Sequence, residues 1–197
     1  TSESLFLTQG YVYESSAQRE PRFKGEDAGY QYSRFANPTV AMFEKRIAEF
    51  EGAEAARATA TGMAAVTLAM MGQVRAGDHV VASRALFGSC LYVIEEYLPR
   101  YGVSSTIVDG TDLDQWRDAM RPNTKTIFME TPTNPTLEVI DIEAVSEIAH
   151  AAGATVVVDN VFSTPLWQSP LKLGADCVVY STTKHIDGQG RCLGGVI

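Results

Sequence analysis

Val178-Val-Tyr-Ser-Thr-Thr-Lys-His185 carries an apolar strand into a polar turn that ends on a single lysine, Lys184. The stretch behind it, Asp187-Gly-Gln-Gly-Arg-Cys-Leu-Gly-Gly195, is too rich in glycine to continue as a helix. Upstream, Thr155-Val-Val-Val-Asp159 repeats the arrangement with an aspartate in the last place. Short β-branched runs with no polar face are strands buried on both sides, the pattern of a mainly parallel sheet between two layers of helices.

Outward from these strands the chain alternates. Asn37-Pro38 supplies a cap and a first-turn proline, Val40, Phe43, Ile47 and Phe50 follow at helical spacing, and Gly52 is a natural stop. Strands are then predicted near 55–60 and at 79–82, 104–108, 125–129, 155–158 and 177–180. Helices are predicted between them at 62–71, 89–98, in a short segment capped by Asp112, and at 142–152. The expectation is a three-layer αβα domain over 37–197, in which ligands sit outside the carboxyl ends of the strands. Residues 1–36 lack periodicity but carry Phe6, Tyr11, Tyr13, Phe23, Tyr30, Tyr32 and Phe35, which favours an arm packed on a neighbouring subunit over a solvated tail. Gly194-Gly-Val-Ile197 reads as a strand just beginning, so the domain is expected to be incomplete at its C-terminal side.

Composition narrows the function. Hydrophobic residues make up 45% of the 197, enough for a core. Acidic side chains outnumber basic ones 24 to 16, giving a net charge of -8 with no basic stripe, so nucleic acid and anionic membrane are poor partners. No apolar run approaches the ~20 residues of a membrane span and no signal pattern opens the chain, so a cytoplasmic protein is expected. Cys90, Cys177 and Cys192 lack paired spacing and read as reduced thiols, and His79, His150 and His185 lack ligand spacing, so no metal is expected.

The predicted strand ends hold the chemistry. Lys184 is placed to present an amine to a cofactor aldehyde, and Asp159 to pair with a pyridinium nitrogen. A Schiff-base lysine with an aspartate partner is what a protein supplies to pyridoxal 5'-phosphate (PLP). Asp159 follows four buried positions and needs a partner there; a helix cap or a salt bridge would serve as well as a ring. Ala60-Thr-Gly-Met-Ala64 opens a helix whose free N–H groups suit a phosphate, although such a turn is usually no more than a cap. Ser181 and Thr183 add hydroxyls, and Asn134 offers an amide to a ring hydroxyl, or is simply a turn residue before proline. Gly188, Gly190 and Gly194 do not fit G-x-G-x-x-G and follow the wrong element for dinucleotide binding.

Tyr32-Ser-Arg-Phe-Ala-Asn-Pro-Thr39, Ala60-Thr-Gly-Met-Ala64, Glu130-Thr-Pro-Thr-Asn-Pro135, Val158-Asp-Asn-Val-Phe162 and Ser181-Thr-Thr-Lys184 together resemble the Cys/Met-metabolism PLP enzymes of fold type I. The likeness runs in order over the whole chain and corresponds to about the first half of a family member. It implies that Lys184 carries the cofactor, Asp159 meets the ring nitrogen, Asn134 lies near the ring hydroxyl, and Gly62, Met63, Ser181 and Thr183 hold the phosphate. It also implies that Tyr32 and Arg34 reach the phosphate of a neighbouring subunit, in a dimer within a homotetramer.

Within the family, Ala85-Leu-Phe-Gly-Ser-Cys90 and His185-Ile-Asp-Gly-Gln-Gly-Arg-Cys192 look most like the O-succinylhomoserine sulfhydrylase branch. The lyases and synthases of cystathionine usually have a stacking tyrosine where Phe87 stands, and Phe87 can stack without carrying a proton. The resemblance implies γ-replacement on an amino-acid substrate, O-succinyl-L-homoserine, by sulfide, with Lys184 moving protons, to give homocysteine for methionine biosynthesis. Cystathionine γ-synthase or γ-lyase activity is the nearest alternative, separated by offering cysteine instead of sulfide. A non-catalytic α/β binding domain is the alternative from another class, and it would show no colour with PLP.

Overall fold

Asn37 starts the first long helix as its chemistry requires. In the computed structural model, which describes residues 3–197, the Asn37 Oδ1 accepts from the N–H groups of Thr39 and Val40, and α2 (Pro38–Glu51) ends where Gly52 turns to φ 68°. The alternation then follows: β1 (Ala58–Thr59), α3 (Gly62–Met71), β2 (His79–Ser83), α4 (Gly88–Tyr92), β3 (Ser104–Val108), α5 (Leu113–Ala119) and β4 (Thr124–Glu130). After these come α6 (Ile142–Ala151), β5 (Thr155–Asp159), α7 (Thr164–Trp167), β6 (Cys177–Ser181) and β7 (Gly195–Val196). The helix predicted at 89–98 is α4 continued by a π turn (Val93–Tyr97) and a 3-10 turn (Leu98–Tyr101).

The sheet order is β1-β7-β6-β5-β4-β2-β3. β6, β5, β4, β2 and β3 are parallel, while β7 lies antiparallel between β6 and β1. Successive strand residues point to opposite faces. Val80, Ala82, Phe128 and Val157 therefore join the core under α3 and α4, with Ala65, Met70 and Ile94. Val81, Ile127, Met129, Val156 and Val158 join the other core under α5 and α6, with Trp116, Val145 and Ala149. Two apolar layers flanking one sheet are the three-layer αβα arrangement expected from the strands.

Two expectations about the periphery differ from what is found. The segment up to residue 36, which lacks periodicity in the sequence, is described from residue 3 and contains a helix, α1 (Ser16–Phe23), closed by Arg22 on Asp27 at 3.1 Å and by Arg22 over the Tyr13 ring. These are tertiary contacts, which no apolar periodicity announces. The apolar stripe of α2 is only partly covered, since Ile47 is buried and Phe43 packs beside it while Phe50 stays 64% exposed.

Candidate active site

The carboxyl ends of β2, β4, β5 and β6, together with the turn after β1, converge on one cleft of about 190 Å³. Thr61 caps α3 by accepting the Ala64 N–H at 3.0 Å, and helix geometry leaves the N–H groups of Gly62 and Met63 without an intrahelical acceptor. Glycine is needed at 62 because a Cβ there would meet the Ser181 Cβ at 2.5 Å. This contact brings the Ser181 hydroxyl against the start of α3, so one end of the cleft offers backbone N–H groups, a helix dipole and a hydroxyl, an arrangement that suits a phosphate.

The other end is acidic. Glu130 and Asp159 are register partners on neighbouring strands, 1% and 8% exposed. Glu130 accepts from the Phe87 N–H at 2.7 Å and from the Asn134 N–H at 2.8 Å, while the Asp159 Oδ1 accepts from the Val161 N–H at 3.0 Å. Burial first, and then the Glu130 charge, push Asp159 up to about 7. Glu130 is also raised by burial, against the pull of its two N–H donors. Burial and then these two carboxylates push the Cys90 thiol up as well. Lys184 lines the same cleft and lowers Asp159 in turn. Asp159, beside the Glu130 charge and with Lys184 as the one amine lining the cleft, enters no salt bridge among the described residues, and a cationic ring would fill that place.

Of the residues singled out in the sequence, Gly62, Met63, Phe87, Asn134, Asp159, Ser181 and Lys184 line this cleft. Thr183 does not: its hydroxyl is engaged with Gly194, accepting from the N–H at 3.1 Å and donating to the carbonyl at 3.3 Å. Tyr32 and Arg34 are also outside it, with the Arg34 guanidinium over the Tyr32 and Phe35 rings at 5.4 and 4.7 Å. Sequence reasoning passed over Glu130, Cys90 and Phe162, which line the cleft too. Glu130 carried the same signal as Asp159, a carboxylate directly after the apolar run Ile127-Phe128-Met129.

A roomier cleft of about 390 Å³ opens beside the start of β6, at the opposite end of that strand from Ser181, with Glu51, Arg57 and Cys177 in its walls. It contains no lysine, and it lies away from the strand ends where an α/β sheet collects its ligands.

Comparison with known proteins agrees with this geometry. The sequence profile of the Cys/Met metabolism PLP-dependent enzymes matches residues 1–197. An O-succinylhomoserine sulfhydrylase of Mycobacterium tuberculosis is 57% identical over 197 residues, covering 100% of this chain and 48% of that protein. An L-methionine gamma-lyase of Fusobacterium nucleatum is 43% identical over 194 residues, covering 98% and 49%. A solved Campylobacter jejuni structure, assigned as an O-acetylhomoserine (thiol)-lyase and carrying N'-pyridoxyl-lysine-5'-monophosphate, superimposes with a TM-score of 0.93 at 33% identity, over 99% of this chain and 48% of that one. The chain thus spans about half the length of the curated relatives it matches. A cleft with an amine, a phosphate-ready helix start and a buried acid, in a chain matched from end to end by that profile, belongs to the Cys/Met metabolism family of PLP-dependent enzymes.

Proposed function

We propose that this cleft is the PLP site of an enzyme that replaces the γ-substituent of O-succinyl-L-homoserine with sulfide, releasing L-homocysteine and succinate. The observation that carries the cofactor assignment is the meeting of Lys184, the start of α3 and the under-partnered Asp159 in one cleft. PLP, when bound, supplies an aldehyde for amines and a protonated ring that draws electrons from the substrate carbons.

The chain's own groups divide the remaining work. Lys184 Nζ would hold the cofactor aldehyde, and its amine would move protons at the substrate α- and β-carbons. Asp159, made hard to ionise by burial and the Glu130 charge, would be the anionic partner of the ring nitrogen. Gly62, Met63 and Ser181 would bind the phosphate, and Thr183 would add its hydroxyl if freed from Gly194. Asn134 would offer its side-chain amide to the ring hydroxyl. Phe87, which lines the cleft, would pack against the cofactor and carries no proton, leaving proton traffic to Lys184.

Residues 37–197 constitute the cofactor domain in this reading, and residues 1–36 an arm. Tyr32 and Arg34, outside their own chain's cleft, act on the phosphate of a neighbouring copy, within a tetramer built as a dimer of dimers. The choice of a succinyl ester and sulfide rests on the 57% identity to a sulfhydrylase against 43% to a γ-lyase, and on Phe87 in the cleft.

Mixing the full-length protein, PLP and O-succinyl-L-homoserine with sulfide or with cysteine tests this. Homocysteine formed from sulfide is the expected product. Cystathionine formed from cysteine without a sulfide reaction, or ammonia and a keto acid formed without either nucleophile, would assign the protein to a synthase or a γ-lyase instead.

A further inference from the structure

Glu130 stands out among the groups that the proposed chemistry leaves unused. It is 1% exposed and enters no salt bridge among the described residues, yet both of its oxygens are committed. Oε2 takes the Phe87 N–H at 2.7 Å and Oε1 the Asn134 N–H at 2.8 Å, and these two amides have no other acceptor among the described residues. Phe87 and Asn134 lie on different loops, after β2 and after β4, and both line the cleft.

We propose that Glu130 is a positioning residue whose two carboxylate oxygens tie the Phe87 and Asn134 backbones to the end of β4, and so fix two walls of the cleft that would hold the cofactor. The proposal rests on the PLP reading of the cleft. A carboxylate suits the task because it accepts on both oxygens, and bonds from N–H to a charged acceptor are stronger than neutral ones. The tie reaches further on the Phe87 side, because the Phe87 carbonyl accepts from the Cys90 and Leu91 N–H groups and so begins α4. On the other side, Thr133 is held independently: its N–H donates to the Glu138 carbonyl at 3.1 Å and its hydroxyl accepts from the Glu138 N–H at 2.9 Å. The Asn134 N–H depends on Glu130. Glutamine at 130 keeps one acceptor and turns an NH2 towards the second N–H, so one wall is released while side-chain length and volume stay the same.

Residue-resolved amide hydrogen exchange on the cofactor-free, full-length protein and its Glu130→Gln variant tests this, together with the dissociation constant for PLP. In the unsubstituted protein the Phe87 and Asn134 amides should be protected about a hundredfold or more. In Glu130→Gln at least one of them should exchange about tenfold faster while the β5 amides keep their protection, and PLP should bind about tenfold more weakly. A general loosening would speed the β5 amides too, and that outcome overturns the proposal. So do unprotected Phe87 and Asn134 amides in the unsubstituted protein, a result that decides the matter even if the variant does not fold. Unchanged PLP affinity despite loosened amides overturns the claim that these walls serve the cofactor. Failure of PLP to attach at Lys184 would instead sink the PLP reading, without altering what the exchange rates say about the tie.

Discussion

The two ends of the sheet bury polar groups in opposite ways. At the amino ends of the strands His79 is fully buried, with Nδ1 at 2.8 Å from the Thr124 hydroxyl and Nε2 at 2.9 Å from the Thr106 hydroxyl. Both ring nitrogens are partnered, and burial, then Arg121, hold the imidazole neutral, down to about 4. At the carboxyl ends Asp159 receives a single N–H among the described residues and sits beside a second buried carboxylate. His79, with both ring nitrogens partnered, serves the fold; Asp159, short of partners in a cleft that Lys184 also lines, is where a ligand would complete the structure.

The sharpest way to break this contrast is Lys184→Ala. Turnover by the PLP-loaded enzyme should fall by about a thousandfold or more, with the visible absorbance of the attached cofactor lost and the thermal midpoint of the cofactor-free protein little changed. Asp159→Asn comes next. Turnover should fall by about a hundredfold, while the cofactor-free variant resists urea better than the parent above pH 7, because a carboxylate forced to ionise in a dry site has been removed.

The pH dependence of stability sharpens the comparison, because the two ends titrate with opposite sign. Asp159 is raised from 3.8 to about 7, so its contribution is full below 3.8 and is lost as pH rises through about 7. His79 is lowered from 6.5 to about 4, so its contribution is full above 6.5 and is lost as pH falls through about 4. Urea midpoints of the cofactor-free protein across pH 4 to 8 should therefore lose their decline towards neutral pH in Asp159→Asn, and their acid decline in His79→Gln. The smallest effect is expected away from both ends: Asn37→Ala should cost about 1 kcal/mol in denaturant unfolding by removing the cap of α2.

Much of this was legible in the sequence because it is local. Asn37-Pro38 and Gly52 bound α2 through their own chemistry, and the turn Thr61-Gly62 was visible as a helix start before its approach to Ser181 was known. Asp159 stood out as a carboxylate ending a β-branched strand. Glu130 ended a strand in the same way but was hidden by the Thr-Pro-Thr-Asn-Pro loop behind it, which drew attention to Asn134 instead. What could not be read depends on distant partners. The engagement of Thr183 with Gly194 is set by the return of the chain into β7, and α1 forms without any residue buried in it. Which half of the α2 stripe meets the sheet is decided by where that helix docks, not by its spacing.

The measurement that tests the central claim most directly is borohydride reduction of the PLP-loaded protein followed by peptide mass mapping. A phosphopyridoxyl group on Lys184 is the expected result. An adduct confined to other lysines, or none after incubation with excess PLP, would contradict the assignment of this cleft.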